Sequence, residues 1–156
     1  GRSYYGQFKF NEYLAELNMS VGEALLSPMR FFAPVTLKIL EKHGASVSGL
    51  VHNTGGGQTK CLVLGGNIHY LKDDLFEPDP IFKLVKRESG ESWRAMFEDY
   101  NMGIGFEVIA NQDEAEDILS IPESFGLEAK IIGRCGKSDG TNKLTIKSRF
   151  GNFQYE

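Results

Sequence analysis

The spacing of apolar residues changes period several times along this chain, and each change marks an element. Ser20, with Glu23 three residues later, makes a capping-box pattern that predicts a short helix through Leu26, stopped by Pro28. A longer helix is expected over residues 31–43, with Pro34 near its first turn and Gly44 as its stop. Val35, Ile39 and Leu40 give this helix a core face, widened by Phe31, Phe32 and Leu37. The period then falls to two. Residues 47–52 read as a strand, and residues 67–71 as another, with Ile68, Tyr70 and Lys72 alternating with His69 and Leu71. Residues 58–64 between them fit a short helix.

Asp79-Pro80 opens the next helix as N-cap and first helical residue. Ile81, Phe82, Leu84 and Val85 supply its core face, and Ser89-Gly90 stops it. Ser92 caps a further short helix, whose Trp93, Met96 and Phe97 are read as core. Residues 106–109 form a strand by branching and alternation. An amphipathic helix begins at Asn111 or Asp113, carries Ala115, Ile118, Leu119 and Phe125 on one side, and is ended or kinked by Pro122. Residues 129–134 and 143–148 are the last strands, joined by a turn at 138–140. Residues 1–19, with Tyr4, Tyr5, Phe8, Phe10 and Tyr13, show no period and read as a lead-in; residues 149–156 read as an aromatic tail. The order is ααβαβααβαββ. Helices and strands interleave without strict alternation, which predicts an α+β domain over residues 20–148, a mixed β-sheet covered by helices in three layers.

Composition changes this picture little. A chain of 156 residues suits one domain and buries about 68–70% of its unfolded surface. The net charge of −4 argues against a nucleic-acid partner, and the densest basic group, Lys83, Lys86 and Arg87, fits one helix face. No apolar run is long enough for a membrane helix, and no signal-peptide pattern opens the chain, so a cytoplasmic setting is expected. Gly1 does not resemble a natural start, and a fragment of a longer chain is expected. Cys61 and Cys135 lack metal or redox spacing and are expected to be free, buried thiols.

Candidate chemistry concentrates in glycine-rich stretches. His52-Asn53-Thr54-Gly55-Gly56-Gly57 follows a strand and precedes a short helix. The run has two readings. It is a tight turn that needs glycine geometry, or it is a cradle whose free N–H groups face an oxyanion or phosphate, with His52 and Thr54 as side-chain donors. It matches neither a Walker loop nor a dinucleotide fingerprint. Asn101-Met102-Gly103-Ile104-Gly105 is a second candidate loop, in which Asn101 caps a helix end or binds substrate. Arg30 either reaches a phosphate or pairs on the surface. Asp73, Asp74, Glu77 and Asp79 resemble a metal cluster by count, but solvation and helix capping explain them, and no metal ligand is assigned. Asp113, Glu114, Glu116 and Asp117 suit a helix N-terminus.

Several stretches together resemble aminoimidazole ribonucleotide synthetase, also called phosphoribosylformylglycinamidine cyclo-ligase. They are Glu23-Ala24-Leu25-Leu26-Ser27-Pro28-Met29-Arg30, the run from Gly49 through the three glycines, and Pro78-Asp79-Pro80-Ile81-Phe82. Phe97 with Asn101 to Gly105, and Ile131-Ile132-Gly133-Arg134, complete the set. The resemblance covers about residues 20–148 and implies the C-terminal domain of a two-domain enzyme. That family converts formylglycinamidine ribonucleotide and ATP into aminoimidazole ribonucleotide in purine biosynthesis. The resemblance implies that ATP and Mg²⁺ are held mainly by an N-terminal domain, that the intact protein is a homodimer, and that this part alone is inactive. It places His52, Thr54, Gly55, Gly56, Gly57, Asn101, Gly103 and Arg30 at the ribonucleotide or its phosphate. Asn53 departs from the pattern, which usually has an apolar residue there, and Gln58-Thr59-Lys60-Cys61 is more polar than usual. Selenophosphate synthetase-like and thiamine-monophosphate kinase-like enzymes, or a non-catalytic ligand-binding domain, are the alternative readings.

Overall fold

The computed structural model describes residues 6–156; Tyr4 and Tyr5 of the lead-in lie outside them. The fold is α+β, with helices packed on mixed and antiparallel sheets. In place of one sheet, the strands form three separate groups.

The first group is a short hairpin, β1 (Tyr13–Leu14) with β2 (Met19–Ser20). No strand was expected in the lead-in. Val21 N–H donates to Glu12 O at 3.0 Å and Gly22 N–H to Phe10 O at 2.7 Å, so the hairpin is stitched to the next helix. That helix, α1 (Val21–Leu25), has the expected capping box: Glu23 N–H donates to Ser20 Oγ, and Ser20 N–H to Glu23 Oε2.

The second group is an antiparallel ribbon of β3 (Val47–His52) and β5 (Phe106–Ala110), with Val51 opposite Glu107. Helices α2 (Ala33–His43) and α5 (Ala115–Ser124) cover one of its faces. Val35, Ile39, Ile118 and Ile121 form a small core there with Val47, Val108 and Ala110. Side chains alternate across a strand, so Glu107 and Ile109 face the other way; Val51 does too, because the register shifts between Val47 and Gly49. The outward stripe of α2 differs from expectation. Leu40 was read as part of the core face and Phe31 and Leu37 as widening it, yet all three are exposed. Only Val35 and Ile39 of that apolar set turn fully inward, because α2 meets the domain along a single narrow seam. Phe125, expected to be inward, is also exposed, since it lies just beyond the end of α5. Pro122 sits inside α5 two residues before its end.

The third group is a four-stranded mixed sheet in the order β6-β4-β7-β8. Its members are β4 (Ile68–Lys72), β6 (Gly133–Lys137), β7 (Lys143–Ser148) and β8 (Gly151–Tyr155). β4 runs parallel to β7; the other pairs are antiparallel. β6 begins later than the strand expected at 129–134, and its first residue, Gly133, approaches the β4 backbone more closely than any side chain permits. The tail is not a tail: β8 edges the sheet and buries Tyr155. The main core joins this sheet to α3 (Pro80–Ser89) and α4 (Trp93–Asp99) and to the ribbon, through Val51, Tyr70, Phe97, Leu144 and Ile146. Asp79 occupies the N-cap position of α3 but makes no side-chain cap, whereas Ser92 Oγ accepts from Ala95 N–H at the start of α4.

Deleting residues 150–156 removes Phe153 against Phe97, Phe150 stacked on Trp93 at 3.9 Å, and Tyr155 over the core. Loss of each large aromatic costs about 3–5 kcal/mol, against a total stability of about 5–15 kcal/mol. The truncated chain should show no cooperative thermal transition by circular dichroism.

Candidate functional site

Strand β3 ends at His52, and the chain then turns through residues 53–57 into a 3-10 segment, Gly57–Val63, where an α-helix was expected. Gly56 has φ +97° and Gly57 φ +46°, both left-handed. An added Cβ on Gly57 would stand 2.5 Å from Tyr100 O and 2.6 Å from Tyr100 N. Only glycine permits that approach, and it lays the first loop directly on the second. Thr54 N–H donates to His52 O and Gly57 N–H to Thr54 O. The N–H groups of Gly55 and Gly56 take no acceptor among the described residues, and both glycines are exposed. Two adjacent unsatisfied donors on an exposed turn are the arrangement that an anionic oxygen fills.

The second loop is held by its own turn. Asn101 Oδ1 accepts from Gly103 N–H at 2.9 Å, and Asn101 O accepts from Ile104 N–H. The Asn101 side chain is thus committed to a turn. Gly103 is exposed, and an added Cβ there would lie 3.6 Å from Asp79 Oδ2. His52 is exposed, with its ring 5.9 Å from that of Phe32 and 6.1 Å from that of Phe106. Arg30 is exposed on the connection between α1 and α2, two residues before Phe32. The structure therefore brings the glycine run and the Asn101 loop together, places His52 at their edge, and leaves Arg30 on a neighbouring segment.

Behind the glycine turn lies a buried polar network that was not singled out from the sequence. Lys72 Nζ donates to Glu107 Oε1 at 2.6 Å, to Gln58 O at 2.8 Å and to Gln58 Oε1 at 3.0 Å. Gln58 Nε2 donates to Asn101 O at 2.6 Å. Asn53 Nδ2 donates to Ile104 O and to Glu107 Oε1. Lys72, Gln58 and Asn53 are all buried. This accounts for the polar residue at 53, whose amide shares an acceptor with the lysine. A signal for Lys72 was available: it continues the inward alternation of Ile68 and Tyr70, which puts a cation on a core face.

Cys61 sits beside this network, fully buried, and burial pushes its thiol up to about 11 although the Lys72 ammonium pulls the other way. It stays protonated at neutral pH and is no nucleophile. Cys135 is exposed rather than buried as expected, because β6 lies at the sheet edge. Three of the four acidic residues in 73–79 are engaged with cations: Asp73 with Arg134, Asp74 with Lys130, and Glu77 with Lys83 and Arg149. Among the described residues no group of three or more His, Cys, Asp or Glu is placed to hold a metal ion, and no helix is long and apolar enough to cross a membrane. A cleft of about 370 Å³ lies between residues 73–78 and 147–152 and shares no residue with the two loops.

Residues 21–143, which carry both loops and the network, match the family model described as AIR synthase related protein, C-terminal domain. The chain belongs to this family. Curated relatives named phosphoribosylformylglycinamidine cyclo-ligase agree with it at comparable levels. That of Methanocaldococcus jannaschii is 36% identical over 115 residues, covering 74% of this chain and 33% of the relative. That of Caldicellulosiruptor saccharolyticus is 34% identical over 128 residues, covering 80% and 37%. That of Methanococcus vannielii is 38% identical over 114 residues, covering 73% and 32%. The chain spans about a third of the length of the curated relatives it matches. The AIR synthase match stops at β7, so β8, which completes the sheet here, lies outside it.

Two outcomes test the buried network and the two thiols of this domain. Lys72→Met strands the Glu107 carboxylate in the core, which costs about 3–5 kcal/mol, read as a lowered urea midpoint. A thiol reagent at pH 8 should modify one thiol per native chain and two after denaturation, and Cys135→Ser should abolish the native reaction.

Proposed function

We propose that this chain is the C-terminal domain of an ATP-dependent cyclo-ligase that closes formylglycinamidine ribonucleotide to aminoimidazole ribonucleotide. The observation that carries the reading is the pair of open N–H groups at Gly55 and Gly56, laid against the Asn101 loop in a chain whose relatives carry the cyclo-ligase name. The glycine turn holds a phosphate oxygen of the ribonucleotide, Thr54 adds a hydroxyl donor, and His52 lines the edge. Arg30 approaches the same anion from the α1–α2 connection, with Gly103 leaving the second loop open.

ATP and Mg²⁺ are assigned mainly to the remaining domain, as the resemblance to the cyclo-ligase family implies. This domain's contribution is to bind and orient the substrate, which lowers the barrier by positioning. Exposed apolar side chains on and between α1 and α2, among them Leu26, Met29, Phe31 and Leu37, are the surface the remaining domain covers in this reading. The intact protein is read as a cytoplasmic homodimer, and this chain alone as inactive.

The test is an assay of the longer protein with formylglycinamidine ribonucleotide and ATP. Formation of aminoimidazole ribonucleotide is expected, and absence of ring closure overturns the reading. An added side chain at Gly55 meets nothing within 4 Å. Gly55→Asp should therefore fold normally while its carboxylate repels the phosphate, raising KM by about tenfold or more. An unchanged KM would remove the phosphate from this turn.

A further inference from the structure

We infer that the buried Lys72–Glu107 pair, with Gln58 and Asn53, is a positioning device that sets the geometry of the glycine turn and locks it to the Asn101 loop. Its use in ligand binding rests on the phosphate reading of that turn.

The argument is one of connectivity. The exposed residues Thr54, Gly55 and Gly56 carry few internal bonds of their own. They are flanked on one side by Asn53 and, beyond Gly57, by Gln58. Both flanking side chains are buried and both end on the same ion pair: Asn53 through Glu107 Oε1, Gln58 through Lys72 Nζ. The two amides also grip the second loop, Asn53 at Ile104 O and Gln58 at Asn101 O. The ends of the turn and the facing backbone are thus tied to one point between β4 and β5. The pair itself is nearly sealed, with side-chain exposures of 5% and 9%.

Core packing alone would not select this arrangement. A buried ion pair is commonly replaceable by apolar side chains without loss of stability. Asn53 Oδ1 is buried with no hydrogen-bond partner among the described residues, and both acceptors near the amide require its nitrogen where it stands. An unsatisfied buried oxygen costs stability, so the amide's value lies in what its nitrogen holds in place. The network spends stability to fix a loop, which is the property that preorganises a binding site.

Two variants of the 156-residue chain separate positioning from stability. The apolar set Asn53→Ile, Lys72→Met and Glu107→Leu, made together, removes the network without stranding a charge. Gln58→Met alone keeps the ion pair and breaks the side-chain ties to Asn101 O and Lys72 Nζ, while the backbone Gln58 O still accepts from Lys72. Folding of each is checked by circular dichroism, and the backbone order of Gly55 and Gly56 is read by ¹⁵N relaxation. The expected result is order parameters near 0.85 in the parent and below about 0.6 in each folded variant. Titration with inorganic phosphate should shift the Gly55 and Gly56 amides in the parent, with affinity weakened about tenfold in the variants. Unchanged order parameters in Gln58→Met, or in the apolar set if it folds, overturn the inference. Absence of a phosphate shift in the parent sinks the phosphate reading alone, and the relaxation comparison still decides the positioning claim.

Discussion

An ammonium group buried between two sheets is the constraint on which this domain turns. Lys72 belongs to the four-stranded sheet and Glu107 to the ribbon, and their contact is the polar joint between those two bodies. A charge out of water is tolerated only where partners replace its hydration. Lys72 meets that condition with three acceptors, two of them from Gln58 at the start of the 3-10 segment. Desolvation therefore forces β4, β5 and the residues after the glycine turn into one relative position. Apolar contacts across the same joint, such as Val51 against the main core, are non-directional and would accept several.

The division of labour around this joint follows from the same physics. Buried residues behind the turn are fully engaged, whereas the turn itself shows open donors to solvent. Glycine at 57 lets the two loops touch through their backbones, so a ligand on one is within reach of the other. At the neighbouring cleft Asp73, Asp74 and Glu77 are paired with cations, whereas the glycine turn exposes two open backbone donors. The apolar stripe on α1 and α2 is the complementary feature: hydrophobic area with no cover from this domain, in a chain that spans about a third of its curated relatives.

Much of this was legible in the residues. The capping box at Ser20, the strand at 47–52, the helix behind Asp79-Pro80 and the strand at 143–148 stand where local pattern put them. Each rests on short-range rules, either a side chain reaching its own backbone or a period matched to one element. The glycine run and the Asn101 loop were visible as candidates for the same reason, since conformational demand on glycine is local. Their adjacency was implied by the family resemblance and not by local pattern, because it depends on Gly57 meeting Tyr100 across more than forty positions of sequence.

What failed to show has a common cause. The tail became β8 because β7 offered it an open edge, and the lead-in was stitched down because the first N–H groups of α1 donate to its carbonyls; neither partner can be named from the segment itself. Leu37 and Leu40 looked inward because they are apolar, but helix periodicity does not say how wide a seam the neighbours leave. Lys72 could be placed on an inward face from its alternation with Ile68 and Tyr70, yet its meaning waited on Glu107 and Gln58. The sequence by itself determined the elements, their caps and the glycines that permit the turn, through interactions a few residues long. Only the tertiary structure decided how the two loops touch and which charge lies behind them, because burial and long-range pairing are properties of the assembled chain.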